Sequence, residues 1–126
     1  MARRRAKILS ERELEVMNAV WKLGKASVKE IRSEMGGDKA GAYTSIATML
    51  KFLESKGALR HEQQGRTFYY LPRTSKEFEQ RKALDYILSS YFDSDVKSML
   101  QALQESSQID RETRISVSNM LVSGHI

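Results

Sequence analysis

The chain has no cysteine and a single proline among its 126 residues. Without cysteine there are no disulfides, thiolate metal sites or cysteine nucleophiles, and a cytosolic location fits. No apolar run approaches the roughly 18 residues that a membrane span needs. The start, Met1-Ala-Arg-Arg-Arg-Ala-Lys7, is basic but is not followed by the apolar stretch of a secretory signal. The two histidines, His61 and His125, lie far apart and lack the acidic or thiol neighbours of a metal site. Gly36-Gly37…Gly41 is not a phosphate loop, because no strand precedes it and no Lys-Ser/Thr follows. Asp93 and Asp95 sit at a helix start, where capping accounts for them. No nucleophile motif is present. The chain therefore reads as a non-enzyme with no cofactor and no metal.

What is present is apolar content of 40%, enough for a packed core, and an uneven charge. Residues 1–73 carry 15 Lys/Arg against 8 Asp/Glu, a net of +7. Residues 74–126 carry 6 against 8, a net of −2, so the total is +5. A basic front half points to a polyanionic partner. A solvated surface with chance asymmetry is the bland alternative.

Ser10-Glu11-Arg12-Glu13 forms a capping box that starts a helix. Leu14, Met17, Val20 and Trp21 recur at helical spacing, and Gly24 closes the helix near Leu23. Ala26-Ser27-Val28 is a connector or minimal strand. Ser27-Val28-Lys29-Glu30 repeats the capping pattern and opens a second helix that buries Val28, Ile31 and Met35. Gly36 to Gly41 is read as a loop. A third helix covers about Ala42 to Lys56, with Ile46, Met49, Leu50 and Leu53 as its apolar face. Leu59–Gln63 and Arg66–Leu71 are strands joined by a turn at Gln64-Gly65, and Pro72 ends the hairpin. Helix, helix and basic hairpin in that order is the layout of a winged helix-turn-helix. The fold class is mainly α with a small β-hairpin. A DNA-binding domain over residues 8–72 follows a basic arm over 1–7.

Residues 73–126 are read as a helical dimerisation domain. Phe78, Leu84, Ile87, Leu88 and Tyr91 form one stripe. Val96, Met99, Leu100 and Leu103 face inward from a second helix. Leu121 lies with Ile115, Val117 and Val122 on a third helix, about Asp110 to Val122. These helices have little of their own to bury such stripes against, so a second copy of the chain is the simplest partner. Folding back on residues 8–72 as one monomeric core is the alternative.

The third helix is the place to seek a binding face. Opposite its apolar stripe lie Tyr43, Thr44, Ser45, Ala47, Thr48 and Lys51, with no acid before Glu54. An ordinary surface helix carries Glu/Lys pairs there. Small hydroxyls approach phosphates and base edges closely, and Ala47 or a threonine methyl can touch a thymine methyl. The helix N-terminus adds free amides for a phosphate. On the hairpin, Arg66 sits beside the turn, with Arg60 and His61 nearby. Arg3, Arg4 and Arg5 form a possible arm along the DNA backbone. The other reading of the helix is packing against a protein, and of the charges, plain solvation.

The set of motifs resembles the penicillinase-repressor (BlaI/MecI) family of bacterial winged-helix regulators. The matching text is Leu9-Ser-Glu-Arg-Glu-Leu-Glu-Val-Met-Asn-Ala-Val-Trp21, Ser27-Val-Lys-Glu-Ile31 and Tyr43-Thr-Ser-Ile-Ala-Thr-Met-Leu50. Leu53-Glu-Ser-Lys-Gly-Ala-Leu59 and Gly65-Arg-Thr-Phe-Tyr-Tyr70 complete it. The resemblance implies a homodimer on double-stranded DNA, at an inverted-repeat operator, with the third helix in the major groove. It implies contacts from Thr44, Ser45, Thr48, Lys51 and Arg66, and targets such as β-lactam-resistance genes. It implies a bacterial cytoplasmic protein, on the nucleoid when bound, with no membrane partner and a regulatory protease or sensor left unidentified. Protease-governed relatives carry an Asn-Phe pair where this chain has Ala102-Leu103, and copper-responsive relatives carry a cysteine-rich site that is missing here. The rival readings are a winged-helix protein-interaction module and a non-specific architectural DNA binder.

Overall fold

The structure, a computed structural model, describes residues 8–123. Its elements follow in the order α1 (Glu11–Leu23), β1 (Ala26–Ser27), α2 (Val28–Glu34), a 3-10 turn (Gly37–Ala40), α3 (Tyr43–Ser55), β2 (Leu59–Gln64), β3 (Thr67–Pro72), α4 (Lys76–Tyr91), α5 (Val96–Gln104) and α6 (Arg111–Ser123). The helices and the wing expected from the sequence are all present. The chain divides into two compact units, one running to Lys82 and the other starting at Ala83.

Both capping boxes form. The Ser10 hydroxyl accepts from the Glu13 amide while the Glu13 carboxylate accepts from the Ser10 amide, and Ser27 and Glu30 do the same. Two of the donors that every helix start leaves unpaired are thereby satisfied at each site. The core of the first unit gathers Val16, Met17, Val20, Ile31, Ile46, Leu50, Leu53 and Leu59, with Tyr70 from the wing beside them. Leu14 is not part of it and remains 41% exposed, whereas Val16, Ala19 and even Glu13 are buried. The inward face of α1 is thus rotated from the one the apolar spacing suggested.

Two local expectations are corrected. The Gly36–Gly41 segment is not a plain loop, since Gly37–Ala40 winds into a 3-10 turn. The hairpin turn is also one residue later than expected. Gln64 pairs with Thr67, so Gly65-Arg66 forms the turn. Gly65 has φ 64°, the left-handed value that the first position of a II′ hairpin turn demands and that a side chain would strain. This puts Arg66 at the tip itself. β1 adds to the sheet antiparallel to β3, giving the order β1-β3-β2.

In the second unit, α5 is capped by Asp95, whose carboxylate accepts from the amides of Lys97 and Ser98. Asp93 and Ser94 ahead of it both adopt left-handed backbone, with φ of 50° and 64°. Arg114 reaches the carbonyls of Ser106 and Ile109, tying α6 to the preceding turn. α5 contributes no fully buried residue: of the side chains read as inward, Met99 and Leu100 are half-buried, and Val96 and Leu103 are exposed. Val117 is the buried apolar residue of α6.

Candidate nucleic-acid interface

α3 begins after Ala42, which offers no side-chain cap, and has no acid in its first turn. Its opening amides thus keep their full positive end of the helix dipole. One face inserts Ile46, Leu50 and Leu53 into the core. The opposite face stays in solvent: Tyr43 is 52% exposed, and Thr44, Ser45, Thr48 and Lys51 are exposed with it.

The helix is gripped at both ends. Arg12 of α1 donates to the Ala40 carbonyl, and Arg32 of α2 donates through Nε to the Gly41 carbonyl at 2.7 Å. Arg32 also pairs with Asp38 at 3.1 Å. Gly41 has φ 108°, and a Cβ there would come within 3.3 Å of the Arg12 guanidinium. Glycine is therefore what lets the two arginines close on the backbone that leads into α3. At the other end, Lys56 donates to both carboxylate oxygens of the buried Glu13, at 3.1 and 3.2 Å. Burial pushes the Glu13 carboxyl upward. The Ser10 amide, the Lys56 ammonium and the Ser10 hydroxyl outweigh it and hold the group below the usual carboxylate range.

The wing is held against the same helix. Glu54 of α3 lies 2.6 Å from Nδ1 of His61 on β2. The His61 ring stacks on Phe68 of β3, with centroids 4.2 Å apart and planes 12° from parallel. Tyr70 lies below, 5.9 Å away. Burial raises the Tyr70 phenol, and Glu54 and Tyr43 add to the rise. On the outer face of the sheet, Lys25 and Arg60 both pair with Glu62, at 2.8 and 3.0 Å.

Between α3, the start of α2 and the wing runs a groove of about 600 Å³. Its cations are Lys29, Lys51 and Arg66, its aromatics include Tyr43 and Phe68, and no carboxylate lines it. None of the three cations pairs with a described carboxylate. Thr44, Ser45 and Thr48 fall on the other side of α3. They line a shallower concavity of about 480 Å³ with Met49 and Phe52. The six residues singled out on α3 and the wing thus divide into a cationic flank (Tyr43, Lys51, Arg66) and a hydroxyl flank. Sequence reading missed Lys29, because it lies on another helix and only the tertiary fold brings it to the groove. It also missed the Glu54–His61 contact, which joins a helix to a strand. Arg3, Arg4 and Arg5 lie outside the described residues. Among the described residues no group of His, Asp and Glu could hold a metal ion, and no helix is long and apolar enough to cross a membrane.

A family model described as penicillinase repressor matches residues 9–122. The penicillinase repressor of Bacillus licheniformis is 30% identical over 104 residues, covering 82% of this chain and 81% of that protein. The solution structure of the DNA-binding domain of the repressor BlaI is 37% identical, with a TM-score of 0.49 over 54% of this chain and 83% of that one. That of monomeric B. licheniformis BlaI in complex with the blaP half-operator is 36% identical, with a TM-score of 0.47 over 55% and 84%. The CopR repressor is 34% identical, with a TM-score of 0.45 over 53% and 97%.

Proposed function

The chain belongs to the penicillinase repressor family, and we propose that it acts as a homodimer that represses transcription from an inverted-repeat operator. Membership makes it a DNA-binding transcriptional repressor rather than an enzyme. The observation that carries the placing of DNA against α3 and the wing is the acid-free groove between them, with Lys29, Lys51 and Arg66 on its walls.

B-DNA's major groove admits an α-helix, and the exposed face of α3 over residues 43–51 has no carboxylate to repel it. Thr44, Ser45 and Thr48 take the base edges, where hydroxyls serve as donors or acceptors. Lys51 and Lys29 take phosphates beside the groove, and the uncapped amides of Tyr43 and Thr44 add a further anion contact. Arg66, at the tip of the wing, reaches the neighbouring backbone or minor groove. Residues 8–72 read the DNA and residues 73–126 hold the two copies together. The basic arm, with Arg3, Arg4 and Arg5, follows the backbone.

The second copy is what the apolar stripe calls for. Leu84, Tyr91, Val96 and Leu103 are 41–74% exposed, a pattern that a second identical stripe would cover. The regulon is that of β-lactam resistance or a related response. The cytoplasm and, on operator binding, the nucleoid are its place.

Selection of random duplexes by the purified protein, followed by sequencing, tests this reading. Enrichment of an inverted repeat with half-site centres about one or two helical turns apart is the expected result. Salt-sensitive binding without enrichment would leave an architectural binder. No DNA binding would transfer the case to a protein-interaction module.

A further inference from the structure

The cationic flank is built from two elements that share no covalent rigidity: Lys51 stands on α3, and Arg66 stands at the free tip of a two-stranded wing. The base of the wing is anchored by Leu59 and Tyr70 in the core and by β1 on β3. Past Tyr69, however, the two strands pair with each other alone. A two-stranded ribbon is marginally stable in water, so the tip needs a further tie to hold a fixed place against α3. Lys25 pairs with Glu62 of β2 from the β1 side; the side-chain hydrogen bond that ties the wing to α3, among the described residues, is the 2.6 Å contact between Glu54 and His61. Glu54 lies one helical turn beyond Lys51. His61 carries the load into β3 through its stack on Phe68, whose ring also lines the groove.

We infer that His61, held by Glu54 and stacked on Phe68, is a positioning residue that latches the wing to α3 and so presents Arg66 and Lys51 to DNA as one surface. This rests on the DNA-binding reading. The contact has the form of such a latch. His61 and Glu54 are about one-third exposed, so the link is accessible and contributes little as core. An imidazole between a carboxylate and an aromatic face is fixed both in position and in plane, which a lysine or glutamine would not be. The other charged groups near it, Arg60 and Glu62, pair with each other and with Lys25 on the outer face of the sheet, leaving Glu54 as its charged partner.

The test is whether the wing's contribution to DNA binding depends on the latch. Arg66→Ala is measured for affinity and salt slope in the full-length protein, first in the native background and then with His61→Leu, which keeps an apolar filler but removes the hydrogen bond. In the native background Arg66→Ala is expected to lower affinity about fivefold and flatten the slope by about one. In the His61→Leu background it is expected to cost less than twofold. His61→Asn, whose amide can donate where Nδ1 does, should restore most of the Arg66 effect. Glu54→Ala should reproduce His61→Leu, and it stands in should that variant fail to fold. An Arg66→Ala loss of the same size in both backgrounds overturns the latch. So does an Arg66→Ala loss of nothing in the native protein. Amide exchange separates the two readings. Faster exchange in β2 and β3 of His61→Leu, with no change in the Arg66 effect, would show a tie that DNA binding does not use and would overturn the inference. A native protein that binds no DNA would take down the functional reading itself.

Discussion

The two units of the chain use similar apolar content in opposite ways. Of fifteen buried apolar side chains among the described residues, fourteen precede Lys82 and one, Val117, follows it. In the first unit the periodic positions of α1, α2 and α3 close on one another. In the second, α5 buries no side chain fully, while Leu84, Tyr91, Leu103 and Val122 remain 45–85% exposed. Burial of a leucine is worth about 1.5–3 kcal/mol wherever its cover comes from. The first unit takes that stabilisation internally. The second leaves such side chains exposed, as the proposed dimer requires. In the proposed dimer this division gives a rigid reader and a separate interface that links two of them.

Substitutions can sharpen the contrast. Leu50→Ala, at a fully buried position, should destabilise the first unit by about 3 kcal/mol or more in thermal unfolding. Leu84→Ala should leave the stability of the monomer almost unchanged; a comparable loss there would place Leu84 in an intramolecular core and break the comparison. The double variant Leu84→Glu/Leu103→Glu should run as a monomer in light scattering. Because two linked readers gain about 10²–10⁴-fold over one, its operator affinity should fall by about a hundredfold. A dimer that survives both charges would move the interface elsewhere.

Glu13→Gln should cost about 2 kcal/mol at neutral pH, since it leaves Lys56 without its carboxylate while Lys56 can still reach water. The sign of its pH dependence follows from the lowered native pKa. The carboxylate stabilises the fold above its ordinary value of 4.5, and that contribution is lost as pH falls through the lower native value. Acid unfolding of Glu13→Gln should therefore be shallower below pH 4.5 than that of the native protein; equal acid limbs would remove Glu13 from the account. The smallest effects belong to the proposed DNA face. Thr48→Ala should weaken binding to the selected site by about 1 kcal/mol and barely affect random DNA. Equal losses on both would make Thr48 a backbone contact.

Much of this was legible in the residues. Ser10…Glu13 and Ser27…Glu30 announce helix starts because a capping box is a local bond between side chain and backbone, and it forms as written. The apolar face of α3 was readable because Ile46, Leu50 and Leu53 follow a period that geometry imposes. The inward face of α1 was less so. Leu14 fits the period as well as Val16 does, and only the neighbours of α1 decide which one is covered. The turn at Gly65-Arg66 was missed by one residue because a glycine can take either central position of a two-residue hairpin turn, and the strand register settles which.

The sequence by itself determined the family, the order of elements and the hydroxyl-rich, acid-poor character of one helix face. These follow from interactions between residues a few positions apart. Only the tertiary structure decided that Lys29 joins Lys51 and Arg66 around one groove, that Arg12 and Arg32 grip the backbone ahead of α3, and that Glu54 meets His61. Each of those contacts joins different elements of the fold. A linear pattern carries no distance between such residues until packing of the core has set the angle of one element against the next.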